Sequence, residues 1–156
     1  MPTNPYFQDH QGEQDLEESI AIEIIQMAGK DIYYIPRNLL RPDVIFGEDP
    51  SSYFTQSFPI EAYLTQPQGF AGTDIVNQFG IEIKQKMNFM ISRSRFTDLI
   101  GIYTNLSFPR VGDLVYLPLN KMIMEINYVK HQDPFYTLGR NWAYILECEP
   151  FTYSYE

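Results

Sequence analysis

Two histidines, His10 and His131, are the side chains of this 156-residue chain that would titrate near neutral pH without perturbation. One lies in a proline-punctuated N-terminal stretch and the other in a turn beside Asp133. A zinc centre needs more ligands at short spacing, and neither HExxH nor paired cysteines accompany them. The single cysteine, Cys148, excludes an intramolecular disulfide and any multi-cysteine metal site, and reads as a small buried hydrophobe. GxGxxG, GxxxxGK[ST] and GxSxG are all absent, so phosphate cradles and esterase nucleophiles have no support. Paired carboxylates about 5–10 Å apart can cleave glycosides. With 20 acidic residues, however, coincidental pairs are unavoidable, and Glu125, alternating with Met124 and Ile126, fits a solvated strand face. The expectation is no catalytic residue, no metal ligand and no cofactor.

Lys84 and Lys86 share one strand face, and Arg93 and Arg95 follow just beyond. Four bases could touch phosphates, but the formal net charge is -9, and binding a nucleic-acid backbone needs clustered cations that displace counterions. A solvated face or salt bridges to acidic neighbours is the expected use of these residues. The charge is also uneven. Asp9, Glu13, Asp15, Glu17, Glu18 and Glu23 all precede Lys30, before which there is no Lys or Arg. An anionic membrane surface is disfavoured on the same ground. No stretch approaches the roughly 20 apolar residues that span a bilayer, and no basic-then-apolar leader opens the chain. A soluble protein made in a cytoplasm is expected.

These residues must be positioned by a fold that the composition already bounds. The chain is 44% hydrophobic and 20% charged, within the globular range. Its 12 Tyr and 11 Phe favour pleated, half-buried surfaces. Length suits one domain, residues 14–156, preceded by an extended arm over 1–13 with Tyr6 and Phe7 as its apolar anchor. Leu16, Ile20, Ile24 and Met27/Ala28 recur at helical spacing, which predicts a helix over Asp15 to Ala28, with Asp15, Glu17 and Glu18 in its first turn. Gly29 supplies the stop. Strands are predicted at 31–35, 58–64, 113–117, 122–130 and 142–149, with Leu119-Asn120-Lys121 as a tight turn. The clearest element begins at Ile81: Ile81, Ile83, Met87, Phe89 and Ile91 alternate with polar residues over about twice the usual strand length. Such a strand either runs around a barrel or leaves it as half of a hairpin. Residues 66–72 read as a glycine-flexible loop, 96–100 as one helical turn, and Phe151 to Tyr155 as an added edge strand. The fold class is α+β, mainly β, and most simply a small β-barrel or sandwich with an N-terminal helix and long loops.

Several blocks resemble one family. Tyr33-Tyr34-Ile35-Pro36-Arg37, then Asp43 to Asp49 with its IFGED, Ala62-Tyr63-Leu64, Phe79-Gly80, and Pro109-Arg110-Val111-Gly112-Asp113 through Pro118 occur in that order. Glu125-Ile126-Asn127 and Asp133-Pro134-Phe135-Tyr136-Thr137-Leu138-Gly139 follow. Together they are similar to the neck protein of T-even-like contractile-tailed bacteriophages over roughly residues 20–155. Members carrying this pattern run longer at the C-terminus, so contacts of that extension are not carried over.

The resemblance implies a structural ring at the virion neck, assembled in the host cytoplasm and acting as a head-completion stopper. It would hold packaged DNA and offer a docking face to the tail. Six copies are favoured, with twelve as the alternative. The implied partners are a portal or adaptor on the head side, a tail terminator on the other, and genomic DNA in the lumen without specific binding. An acidic lumen would let that DNA slide. A ring needs two unlike sticky surfaces on each chain. Tyr6, Phe7, Tyr53, Phe54, Phe151, Tyr153 and Tyr155 are the candidate interface residues, because aromatic side chains bury large area at small rotamer cost. The loop from Gln66 to Asp74, with Gly69, Phe70 and Gly72, is the candidate gate. A tail terminator or head-side adaptor shares the same geometry. From other classes, a barrel binding domain for sugar or peptide, or an enzyme with an unrecognised carboxylate pair, stays open at this point.

Overall fold

The computed structural model describes residues 10–38, 45, 53–65, 71–77, 80–131 and 140–152, and for 71–77 and 80–85 it describes the backbone path. Seven strands appear: β1 (Lys30–Ile35), β2 (Phe58–Leu64), β3 (Ala71–Asn77), β4 (Gly80–Ser92), β5 (Leu114–Leu117), β6 (Met122–Lys130) and β7 (Ala143–Pro150). Helix α1 (Gln11–Ala28) precedes them. Between β4 and β5, α2 (Arg93–Phe96) passes through a π turn (Thr97–Gly101) into α3 (Ile102–Thr104).

The ladder runs β2-β1-β5-β6-β7-β4, antiparallel throughout, and β4 returns to β2 through Tyr63↔Met90 and Leu64↔Phe89. Six strands therefore close into a barrel, which removes the exposed edges that an open sheet would present. The alternation within each strand explains the closure. Ile32 and Tyr34, Ile60 and Ala62, Met87, Phe89 and Ile91, and Tyr144, Leu146 and Cys148 all turn inward to one core. On β6 the inward set is Met124, Ile126 and then Val129. The pairs Ile126↔Cys148 and Tyr128↔Glu147 leave Asn127 as an extra residue, and that bulge switches the parity so that Val129 points inward again. Phe96 and Ile100, both fully buried and one turn apart on the helical segment, complete the core. Phe96 meets Tyr34 and Tyr144 edge-on at 5.3 and 6.2 Å between ring centroids.

The long strand does both things its length allows. Met87 to Ser92 of β4 pair with β7 in the barrel, while Gly80 to Lys86 pair with β3 as a hairpin arm. β3 itself is a correction: Ala71 to Asp74 were expected in a flexible loop, yet they stand in register with Lys86 to Ile83. Glycine and alanine are weak strand formers, and it is the ladder offered by the first half of β4 that orders them. A second correction concerns the C-terminal end, where Phe151 and Thr152 lie outside any strand. The Phe151 N–H still donates to the Ile123 carbonyl at 3.0 Å, but β7 ends on Pro150, which has no N–H to give.

Helix α1 begins at Gln11, so residues 11–13 are helical instead of belonging to an arm, and Glu13 is the acid of its first turn. It packs on β2 and β4 through Ala21 and Ile25. The stripe Leu16, Ile20, Ile24 and Met27 therefore faces away from the barrel, with exposures of 60, 48, 56 and 87%. Two constraints set that rotation. Arg140 clamps Asp15 and Glu18 at 2.8 and 3.0 Å. At the other end Gly29 joins the helix directly to β1, with ordinary extended backbone. A Cβ there would lie 2.3 Å from the Ile25 carbonyl oxygen and 2.6 Å from that of Ala62. The glycine is required by close approach to backbone that cannot yield, not by a left-handed turn. Gly29→Ala is expected to cost about 1–3 kcal/mol, lowering the melting temperature by several degrees in a calorimetric scan. Gly12→Ala, where nothing lies within 4 Å, should leave the melting temperature unchanged or raise it.

Candidate functional site

The densest polar construction in the described structure joins two of the sequence blocks. Asp113, 1% exposed, stands just before β5, and Tyr34 lies beside it on β1. The Tyr34 hydroxyl donates to Asp113 Oδ2, and the Arg37 backbone N–H donates to Oδ1 at 2.8 Å. Arg110 reaches Asp113 with Nη2 at 3.4 Å and gives a second bond to the Arg37 carbonyl at 2.7 Å. Its backbone N–H donates to the Tyr34 hydroxyl oxygen at 3.3 Å. Gly112 makes the turn possible with φ at +86°, and a Cβ there would meet the Arg37 guanidinium at 3.2 Å. Burial first, then the adjacent Asp113 charge and hydrogen bond, push the Tyr34 hydroxyl well above its usual pKa. Each oxygen of the carboxylate has a donor, so a buried charge is tolerated. The arrangement is a strut.

A second ion pair serves the same end. Arg95 of α2 meets Glu61 of β2 at 2.7 Å, and Gln26 of α1 donates to the same oxygen at 3.4 Å. Burial alone would raise the Glu61 pKa, but the Arg95 hydrogen bond and charge outweigh it and hold the carboxyl below its usual value. Lys86 pairs with Glu149 at 3.0 Å, and the Arg93 guanidinium lies 5.9 Å from the centre of the Tyr144 ring. Of the four bases singled out in the sequence, Lys86 and Arg95 are thus in salt bridges with acidic neighbours. Lys84 is described by its backbone alone.

Among the described residues no three His, Cys, Asp or Glu side chains converge as metal ligands, and no helix is long and apolar enough to cross a membrane. His10 stands at the N-cap of α1 without a capping bond, and His131 lies edge-on between Phe108 and Tyr144. Cys148 is buried in the core, where desolvation, with the Glu147 charge adding to it, raises its thiol to about 12. Two clefts share Arg93 and Thr97 in their walls. One, of about 410 Å³, is lined by Glu18, Asp98, Arg140 and Asn141, among others. The other, of about 420 Å³, is lined by Thr97, Ile102, Leu106 and Ser107 together with Arg93. Both are open to solvent.

Of the expected interface residues, Tyr6, Phe7, Tyr153 and Tyr155 lie outside the described residues. Tyr53 is 41% exposed and forms a bridge with Asn38. Phe54 and Phe151 are brought together, edge-on at 6.4 Å. Gly69 and Phe70 lie outside the described residues, whereas Gly72 is paired with Gln85 in β3. Sequence reasoning missed Asp113, Arg110 and Tyr34 as a unit. The signal available was a tyrosine-rich strand ending in Pro36-Arg37 and an arginine, glycine and aspartate in one short loop.

Comparison with protein families gives one finding. A model described as a virus neck protein of the T4 type matches residues 2–156.

Asp113→Ala leaves Tyr34, Arg110 and the Arg37 N–H without their acceptor and is expected to cost about 3 kcal/mol or more, measured by urea unfolding. Tyr34→Phe should cost less, about 1–3 kcal/mol. The Cys148 and Tyr34 protons are held more tightly in the folded protein than in the unfolded chain. Their contribution is therefore complete below the unfolded-state pKa values and is lost as pH rises from about 9 towards 12 for the thiol. Stability measured against pH should fall across that alkaline window, and a thiol reagent at pH 8 should leave native Cys148 unmodified while reacting at once in urea.

Proposed function

The chain belongs to the family of T4-type virus neck proteins, and on that premise we propose that it forms the ring that closes the filled head. Membership makes it a structural component of the head–tail neck of the virion, not an enzyme, in association with other head and tail components. In the proposed role it is a stopper: a ring of six copies, or twelve, holds the packaged genome and presents a docking face to the tail. Its neighbours are a portal or adaptor protein on the head side and a tail terminator on the other. DNA passes through the lumen without specific contacts, in keeping with a net charge of -9. Tyr6, Phe7, Tyr53, Tyr153 and Tyr155 are the proposed contact residues, with Phe54 and Phe151 contributing as a pair. The proposed gate is the segment carrying Gly69 and Phe70, which leads into β3.

The observation that carries this reading is the family match over nearly the whole chain. Its physical support comes from how the residues are used. The buried ionisable groups Asp113, Tyr34 and Cys148 serve the framework, while large apolar side chains remain at the surface on α1 and α3. Exposed apolar patches of that kind mark surfaces that meet other polypeptides.

Electron microscopy of particles assembled without this protein tests the proposal. Full heads that lose DNA and never acquire tails are the expected result. Tailless heads that keep their DNA would overturn the stopper role in favour of a tail-side function.

A further inference from the structure

We propose that the outward stripe of α1 docks into the Arg93–Ile102–Leu106 groove of a second copy of this chain, head to tail. The proposal rests on the neck reading and specifies which two surfaces join neighbours in the ring.

The stripe is one surface. Leu16, Ile20, Ile24 and Met27 are about half exposed or more, and over the 12 residues from Leu16 to Met27 they extend roughly 16 Å. Among the described residues the barrel packs on the other face of the helix, through Ala21 and Ile25. Glu13 and Glu23 flank the stripe and are exposed, and α1 contains no lysine or arginine.

The groove is the other surface. Its described lining carries one cation, Arg93, and no carboxylate, with Ile102 70% exposed and Leu106 half-buried. The rest of the lining is Thr97, Gly101, Asn105 and Ser107, and from its Ser107 end a chain of ring contacts runs inward to the buried Tyr144. Phe108 follows Ser107 of the lining and meets His131 at 5.0 Å, His131 meets Tyr144 at 5.6 Å, and Arg93 lies over Tyr144. The acid-lined cleft, with Glu18 and Asp98, shares Arg93 and Thr97 with it.

Charge selects the pairing. Two α1 stripes facing each other would bring Glu13 and Glu23 against their own copies in a surface stripped of water, and like charges so placed repel. A stripe with acidic flanks against a groove that has a cation and no carboxylate in its described wall has complementary potential. The two surfaces are different and sit on one chain, so the contact is heterologous and propagates, closing when the rotation per step allows a ring. The occupant is an amphipathic helix in a groove, anchored at i, i+4, i+8 and i+11.

The test uses the full chain in assembled particles, with Ile20→Cys and Ile102→Cys together and a short bis-maleimide linker. Cys148 is buried and does not compete. The expected product on a denaturing gel is a ladder extending beyond dimer to the ring number. Each single variant should give monomer. Dimers from Ile20→Cys alone would show helix pairing with helix and overturn the proposal. Particles that contain the double variant but give no ladder would overturn it too, assigning the stripe to another protein. Particles assembled with the wild-type protein that lack the chain altogether would overturn the neck reading and this inference with it. As a second variant, Ile20→Asp should leave the melting temperature unchanged while reducing incorporation into particles at least tenfold. Wild-type incorporation of that variant would also overturn the proposal.

Discussion

A carboxylate taken out of water and given a donor for each oxygen is the constraint around which the rest of this molecule is arranged. Asp113 cannot be buried unless Tyr34, the Arg37 N–H and Arg110 all arrive together. Their arrival requires β1 to lie antiparallel to β5, with Tyr34 beside Val115. The turn before β5 must also fold back on the end of β1, and Gly112 with its positive φ permits that path. The backbone of the same turn then reaches β6, since Gly112 N–H donates to the Ile126 carbonyl at 2.8 Å and Ile126 N–H donates to the Asp113 backbone carbonyl at 2.9 Å. The Asp113 side chain and the backbone of its turn together tie three neighbouring strands of the barrel. An apolar side chain in its place could fill the volume without specifying register.

Outside the barrel the same economy of contacts decides what remains exposed. Helix α1 is held at three places: Arg140 near its start, Gln26 against Glu61, and Gly29 against Ala62. These leave it no freedom to roll its larger apolar residues inward. Small Ala21 lets the helix lie close to β2 and β4, and the bulkier stripe is what the surface presents. The helical segment after β4 behaves alike, with Phe96 and Ile100 committed to the core while Ile102 and Tyr103 stay out. Both helices thus have a face that stabilises the subunit and a face that does not. Exposed apolar faces of the second kind are the surfaces on which proteins commonly meet other polypeptides.

The barrel strands were legible in the residues because burial on one side of a pleat imposes a period of two. The thirteen-residue β4 was legible twice over, as a strand and as a strand too long for a small barrel. Its partner β3 was not legible, since Ala71, Gly72, Thr73 and Asp74 have little intrinsic preference for extended pairing and acquire it from a neighbour. Helix α1 was legible as a helix from its spacing, but spacing is blind to which face meets the barrel. The candidate aromatic contacts divide in the same way. That Phe54 and Phe151 touch each other is a consequence of where two distant segments end.

By itself the sequence determined the chain's character: mainly β, acidic, without a catalytic or metal-binding pattern, and bearing blocks that resemble a neck protein. Those properties are local or compositional, and side-chain chemistry alone carries them. Only the tertiary structure decided that Tyr34 and Asp113, 79 residues apart, are one unit, and that the α1 stripe looks outward. Both depend on closure of the barrel, which brings remote segments to hydrogen-bonding distance and fixes the rotation of everything attached to it.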